Sequence, residues 1–267
     1  MSVIRDKKGR PLITPPGGGE PVPYIRASGL SSVLDDRTNL HRWQQRKAAM
    51  GFAAAPNLVQ EVVDLQAECA DPAQQWPQKQ ILDRVVRDAM AAGRADEAAS
   101  AGTRFHDLAE RVDRGEAVEA DVPTLERLQE YLHERHGVEV VDAEQFVVND
   151  ALGAAGTYDR LLRLPDGRVV IADIKTGRSD PRYPLGVCVQ CATYSHAERY
   201  DVETGRRAAL HPDLDPTVGL LIHAPLVNRK GVHLYWLNLT RGYAAAKVAR
   251  DVHLIRDWSA EDLRRPV

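Results

Sequence analysis

Several functional classes are excluded by what this 267-residue chain has little of. It has only three cysteines, Cys69, Cys188 and Cys191, an odd number that suits a reducing compartment rather than a disulfide framework. No uninterrupted apolar stretch is long enough to span a bilayer, so no membrane partner is expected. The opening MSVIRDKKGR lacks the apolar run of a secretory signal, and the cytoplasm is the expected location. Charge of one sign is also lacking: 35 Lys and Arg stand against 38 Asp and Glu, a net charge of −3. Bulk charge therefore does not bind nucleic acid, and any such binding needs a local basic surface. The triple glycine at 17–19 is not followed by Gly-Lys-Ser/Thr, so no ATP is expected.

What is present reads as a globular protein, 43% hydrophobic and 27% charged, long enough for one large domain or a core with an insertion. Residues 1–23, with PLITPPGGGEPVP, read as an extended arm because Pro and Gly oppose regular structure. Helical periodicity covers 28–55, 58–70, 77–92, 100–114 and 124–136, making 24–137 a helical region. Near Val138 the period changes to that of strands, at 138–148, 157–164 and 168–175, with Pro165-Asp166-Gly167 as a turn. A helix over Leu185–Arg199, strands at 217–225 and 232–239, and a helix from Tyr243 to Trp258 follow. The region 138–267 is thus a sheet with a crossover helix, expected to form one compact unit with 24–137. The fold class is α/β.

The hairpin around 165–167 carries the chemistry. Leu164 and Arg168 flank the turn, which sets Asp159 opposite Asp173. Lys175, two residues on, shares the face of Asp173. Opposed carboxylates repel unless something offsets them. Mg²⁺ or Mn²⁺ does so, since hard cations prefer oxygen ligands, and the backbone carbonyl of Ile174 is a further donor. An ordinary solvated Asp–Lys face is the alternative. Gly156 gives the backbone freedom to bring Asp159 to a metal.

Other candidates flank this pair. His106, in GTRFHDLAE on a helix, offers an imidazole nitrogen as a metal ligand. Glu144, on the first strand, is an additional acid within reach of a metal or of a water beside it. Gln190 and Tyr194 lie one helical turn apart and could position a phosphate or brace the lysine. Cys188 and Cys191 form a Cys-x-x-Cys, which without a second pair reads as packing rather than zinc or redox chemistry. Arg104, Arg160, Arg178, Arg182 and Lys230 are the candidate nucleic-acid contacts. Trp43 and Tyr183 could stack on bases, with Trp43 equally suited to the core.

Taken in order, GTRFH, GTYD, DIK within VVIADIKTG, and QCATY resemble the RecB-like branch of the PD-(D/E)XK nuclease superfamily, in its phage exonuclease form. That resemblance covers about residues 102–194 and implies a restriction-endonuclease-like core, a small mixed central sheet flanked by helices, below a helical N-terminal half. It implies that His106, Asp159 and Asp173 ligate metal, that Lys175 assists catalysis, and that Gln190 and Tyr194 complete the site. The activity implied is a divalent-metal-dependent DNA exonuclease of recombination, replication or repair, on single- or double-stranded DNA. A homo-oligomer, a single-strand annealing protein or a helicase are the partners it admits. Some RecB-like nucleases hold a four-cysteine iron–sulfur cluster; three cysteines exclude one within this chain. A non-catalytic DNA-binding recombination scaffold and a structure-selective endonuclease are the alternative readings.

Overall fold

The described residues of the computed structural model are 3–116, 123–178, 183–226 and 231–264. Within the expected extended arm, Leu12–Ile13 (β1) and Val22–Pro23 (β2) pair as an antiparallel ribbon. Ile13 is buried among Tyr24, Val148 and Tyr200, so apolar burial anchors this segment despite its Pro and Gly content. Ile25–Arg26 (β3) leads into Ala27–Ser31 (α1). The helix expected over 28–55 is broken after a 3₁₀ turn, and restarts as Thr38–Ala54 (α2). At the restart the Asp36 carboxylate accepts the Thr38 N–H at 2.9 Å, a local bond that competes with continuous helix.

Pro56–Glu68 (α3), Gln78–Ala92 (α4) and Glu97–Asp113 (α5) follow. Pro56 stands at the start of α3, where its missing N–H costs nothing. Pro123–Gln129 (α6) continues into the π-helical Glu130–Arg135. The remaining elements are Glu139–Asn149 (β4), Ala154–Arg163 (β5), Val169–Lys175 (β6), Leu185–Ser195 (α7), Glu198–Tyr200 (β7), Arg207–Ala208 (β8), Leu214–His223 (β9), His233–Asn238 (β10), Leu239–Arg256 (α8) and Ala260–Leu263 (α9). None of the helices among the described residues is long and apolar enough to cross a membrane.

The chain divides into two compact units, residues 36–104 and residues 1–35 with 105–267. The helical stretch 24–137 is thereby shared between them. In the 36–104 unit, Leu58, Val85 and Ala89 form the core, with Phe52, Val62 and Ile81 packed around it. Helices α2 and α4 cross at very short range: a Cβ on Gly51 would lie 1.6 Å from the Ala89 carbonyl oxygen. Only glycine fits there.

The other unit is built on one mixed, mostly antiparallel sheet of eight strands, in the order β10-β9-β6-β5-β4-β7-β8, with β3 added beside β5. It is larger than the small sheet expected, because β3, β7 and β8 are too short to show a periodicity in sequence. The helix expected to run to Arg199 stops at Ser195; Arg199 and Glu198 pair instead with Val147 and Val148 of β4. Strand β6 is buried from Val169 to Ile174. Val170, Ala172 and Ile174 pack with Phe105 and Ala109 of α5 and Leu125 and Leu128 of α6, while Val169 and Ile171 pack with Cys191, Ala192 and Tyr194 of α7. The alternation follows from the two-residue period of a strand, and each full burial of a Val or Ile contributes about 1.5–3 kcal/mol. Helices therefore cover both faces of β6.

Two features of the sheet position the site. The β5–β6 register runs from Arg163↔Val169 to Arg160↔Ala172, the one expected from the turn, and brings Asp159 next across from Asp173. In addition, β5 shares one edge between two partners: β3 takes Ala154 and Ala155, and β6 takes Arg160 to Arg163. Among the described residues, Gly156 to Asp159 therefore lack a strand partner on that edge.

Candidate functional site

In this interval the Asp159 side chain replaces the missing ladder. Its Oδ2 accepts the Ile174 N–H at 2.8 Å. N–H and C=O of one strand residue point to the same neighbour, so the Ile174 carbonyl opens on the same gap. On the other neighbour, the Lys175 carbonyl accepts the Ala224 N–H at 2.9 Å from the β9 side. The fork between β5 and β6 thus presents a carboxylate and a backbone carbonyl side by side.

Helix α5 brings His106 to this fork, with Nδ1 3.6 Å from Asp159 Oδ2. Glu144 joins from β4, at a residue with φ of +53°, in the left-handed region that a side chain of this type seldom adopts. One ligand atom from each of His106, Glu144 and Asp159 lies within 4.8 Å of the others. Asp173 stands outside this trio, 3% exposed, with Lys175 Nζ 2.7 Å from its Oδ2. Glu144, expected as an addition to the ligand set, is thus one of three clustered groups that could hold a metal ion.

The electrostatics show an excess of carboxylate. Burial, and then Asp159, push Asp173 up to about 7 against the pull of Lys175. Burial also pushes Glu144 up to about 7, with Asp159 and Glu110 adding to it. Burial lowers Lys175, but Asp173 and Asp159 outweigh it and the ammonium ends above its ordinary range. Arg160 is committed elsewhere, with Nη2 2.5 Å from Asp113 Oδ2. Three carboxylates and an imidazole beside one ammonium, itself paired with Asp173, form a hard, oxygen-rich donor set of the kind that suits Mg²⁺ or Mn²⁺.

Helix α7 closes the far side. Gln190 Nε2 donates to the Tyr194 hydroxyl at 3.2 Å. Tyr194 is 5% exposed, and burial raises its hydroxyl well above the ordinary range while the Gln190 bond opposes the shift. A Cβ on Gly156 would stand 2.8 Å from that hydroxyl and 3.3 Å from Ala27 Cβ. The glycine therefore serves close approach by a tyrosine, not the backbone freedom expected from the sequence. Cys191 is buried under the same face and its thiol is raised well above the ordinary range, by burial first and then by Asp173. Cys188 Sγ donates to the Asn238 carbonyl at 3.2 Å, and both cysteines are free thiols.

The candidate phosphate contacts divide. Arg160 is 3% exposed and paired with Asp113, so it braces α5 against β5 rather than facing substrate. Arg178 is exposed in the segment after Lys175, and Tyr183 is 90% exposed. Arg104 is exposed in the 36–104 unit, where Trp43 is half-buried with Lys47 Nζ 6.0 Å from its ring centroid. Arg182 and Lys230 lie outside the described residues. Nothing local in the sequence marks Asp113, while the signal for Glu110 is its place one turn after His106 on the same helix face.

No curated protein matches the chain. The sequence model of the PD-(D/E)XK nuclease superfamily matches residues 118–210, a stretch that holds Asp159, Asp173, Lys175, Gln190 and Tyr194 and leaves His106 outside. That superfamily is one of metal-dependent nucleases, and its match falls on the strands and helix that form the fork.

Proposed function

We propose that this chain is a divalent-metal-dependent DNA nuclease, acting as an exonuclease at the fork between β5 and β6. The observation that carries the proposal is the Asp159–Ile174 bond, which holds a carboxylate open toward His106 and Glu144 beside the Asp173–Lys175 pair. His106, Glu144, Asp159 and the Ile174 carbonyl would hold the metal, with Asp173 completing the set. A bound Mg²⁺ or Mn²⁺ supplies Lewis acidity toward the phosphodiester and toward the attacking water.

The chain's own groups do the rest. Lys175, steered by Asp173, aims its ammonium at the negative charge that grows on the phosphate oxygens as water adds. Water oxygen bonds to phosphorus, one ester P–O bond breaks, and a phosphate monoester and a hydroxyl terminus result. Gln190 holds Tyr194, and Tyr194 against Gly156 fixes the course of β5 just before Asp159. Exonuclease action, and a setting in recombination, replication or repair of phage or bacterial DNA, rest on the resemblance of the four motifs to RecB-like nucleases.

The test is incubation of purified protein with end-labelled linear DNA and with covalently closed circular DNA, in Mg²⁺ or Mn²⁺. Mononucleotide or short-oligonucleotide release from linear DNA alone is expected. Cutting of the circle would replace the exonuclease reading with an endonuclease, and absence of cutting of any DNA would leave a binding scaffold.

A further inference from the structure

In the 36–104 unit two helices each carry charge of one sign, while α4 mixes both. Over its seventeen residues α2, Thr38–Ala54, contains Arg42, Arg46, Lys47 and His41 and no Asp or Glu. Helix α3 shows the reverse, with Glu61, Asp64 and Glu68 and no basic residue. Most surface helices mix the two signs, so a helix with one sign only is a local field rather than a solvated average.

Some basic residues of this unit are committed to partners. Arg84 pairs with Glu61 and Asp88, and Arg94 pairs with Glu97. Lys47 donates to the Gly93 carbonyl at 2.9 Å and closes the end of α4. Arg42 and Arg46 are exposed and take no ion pair among the described residues; Lys79 and Arg87 of α4 are equally unpaired but share their helix with Asp83 and Asp88, whereas α2 has no carboxylate. The Asp36 carboxylate, which feels the Arg42 charge, accepts the Thr38 N–H through its Oδ1 and makes no hydrogen bond to Arg42 among the described residues. Residues four apart lie one above the other on a helix, so Thr38, Arg42, Arg46 and the adjoining Asn39, His41 and Gln45 make one exposed, carboxylate-free face. Four residues rise about 6 Å along a helix, which is the scale of one to two nucleotide steps at about 3.4 Å each.

We propose that this exposed face of α2, led by Arg42 and Arg46, binds the phosphodiester backbone of nucleic acid without regard to base sequence. The inference rests on nucleic acid being the substrate of the fork, and adds a second, separate grip on it. Two guanidiniums with free N–H forks match phosphate oxygens, and Asn, Gln, Thr and His beside them supply neutral donors. Such contacts position a strand and do not read it.

The experiment measures binding of fluorescein-labelled single-stranded and duplex oligonucleotides of mixed sequence, in EDTA so that no cutting occurs, across a salt series. The variants are R42Q/R46Q and, as a control of equal charge change on α4 of the same unit, K79Q/R87Q. Circular dichroism melting accompanies each, and because all four positions are exposed, unchanged melting is expected. R42Q/R46Q should bind about tenfold or more weakly at low salt, with a salt slope shallower by about two phosphate contacts. K79Q/R87Q should bind like the wild type.

Wild-type affinity and slope in R42Q/R46Q, an equal loss in K79Q/R87Q, or no binding by the wild type would each overturn the proposal. So would loss in R42Q/R46Q of binding to phosphatidylglycerol vesicles with oligonucleotide binding intact. Failure of the nuclease reading is separable: a protein that cuts nothing yet loses oligonucleotide binding in R42Q/R46Q sinks that reading and keeps this one.

Discussion

The Asp159 carboxylate accepts the backbone N–H of Ile174 at 2.8 Å, in the position where a β5 carbonyl would sit if the two strands stayed paired. One hydrogen bond therefore does two things. It satisfies a buried donor that the parting strands would orphan, and it fixes the orientation of the carboxylate proposed to ligate the metal. Asp159→Ala removes both, and an unsatisfied buried N–H costs about 1–3 kcal/mol. Asp159→Asn should retain most of the stability, because the amide oxygen can still accept, while losing Mn²⁺ binding in titration calorimetry. Equal melting temperatures for the Ala and Asn variants would contradict the structural half of this account.

Tyr194 and Gly156 touch closely enough to make a second prediction. Gly156→Ala forces a methyl to within 2.8 Å of the tyrosine hydroxyl, an overpacking that typically costs about 1–3 kcal/mol. Tyr194→Phe removes the offending oxygen. The double variant G156A/Y194F should therefore melt at a higher temperature than G156A alone. Additive losses in a double-mutant cycle would show that the two residues do not act on each other.

Arg160 tests burial against exposure. Removing one partner of a buried pair leaves the other unpaired and costs about 3–5 kcal/mol. Arg160→Ala should thus lower the melting temperature strongly, since Asp113 is buried with it. Replacing both residues with apolar ones of similar volume, R160M/D113L, should recover much of the loss. A variant R160A that melts normally but binds DNA weakly would return Arg160 to the substrate surface.

Acidity gives a signed prediction. Burial and then the Asp159 charge push Asp173 and Glu144 up to about 7 in the folded protein, from ordinary values of 3.8 and 4.5. A raised folded pKa means that the fold binds these protons more tightly than the unfolded chain does. Their stabilising contribution is complete below about pH 4 and is lost as pH rises through about 7. In EDTA the melting temperature should fall between pH 5 and pH 8, and D173N/E144Q should flatten that fall. Mg²⁺ should raise the melting temperature more at pH 8 than at pH 6, because ligation competes with these protons. A larger Mg²⁺ effect at the lower pH would contradict the ligand assignment.

Sequence carried the register of the central hairpin and the neighbourhood of the fork because those depend on local rules. The Pro165-Asp166-Gly167 turn fixes the pairing, and the two-residue period puts Asp173 and Lys175 on one face. What it left out depends on distance in space. Nothing local marks Arg160 as buried, since its partner Asp113 lies on a helix 47 residues earlier. The strand Glu198–Tyr200 looks helical until β4 offers it a partner. In sequence Gly156 reads as backbone freedom, because the tyrosine that needs its space arrives from α7. Nothing local in the sequence ties Glu144 to His106 and Asp159; it joins them in space from a residue whose backbone takes the left-handed φ of +53°.

The central claim, that Lys175 and the carboxylates around it form a metal-dependent hydrolytic site, is tested most directly by single-turnover cleavage of end-labelled DNA. Wild type, Asp173→Ala and Lys175→Ala are compared in Mg²⁺ or Mn²⁺ and in EDTA, with oligonucleotide affinity measured on the same samples. Loss of a group that stabilises transition-state charge should slow cleavage about 10²-fold or more while binding is retained, and EDTA should abolish cleavage by the wild type. Cleavage at the wild-type rate by either variant, or cleavage that survives EDTA, would contradict the account.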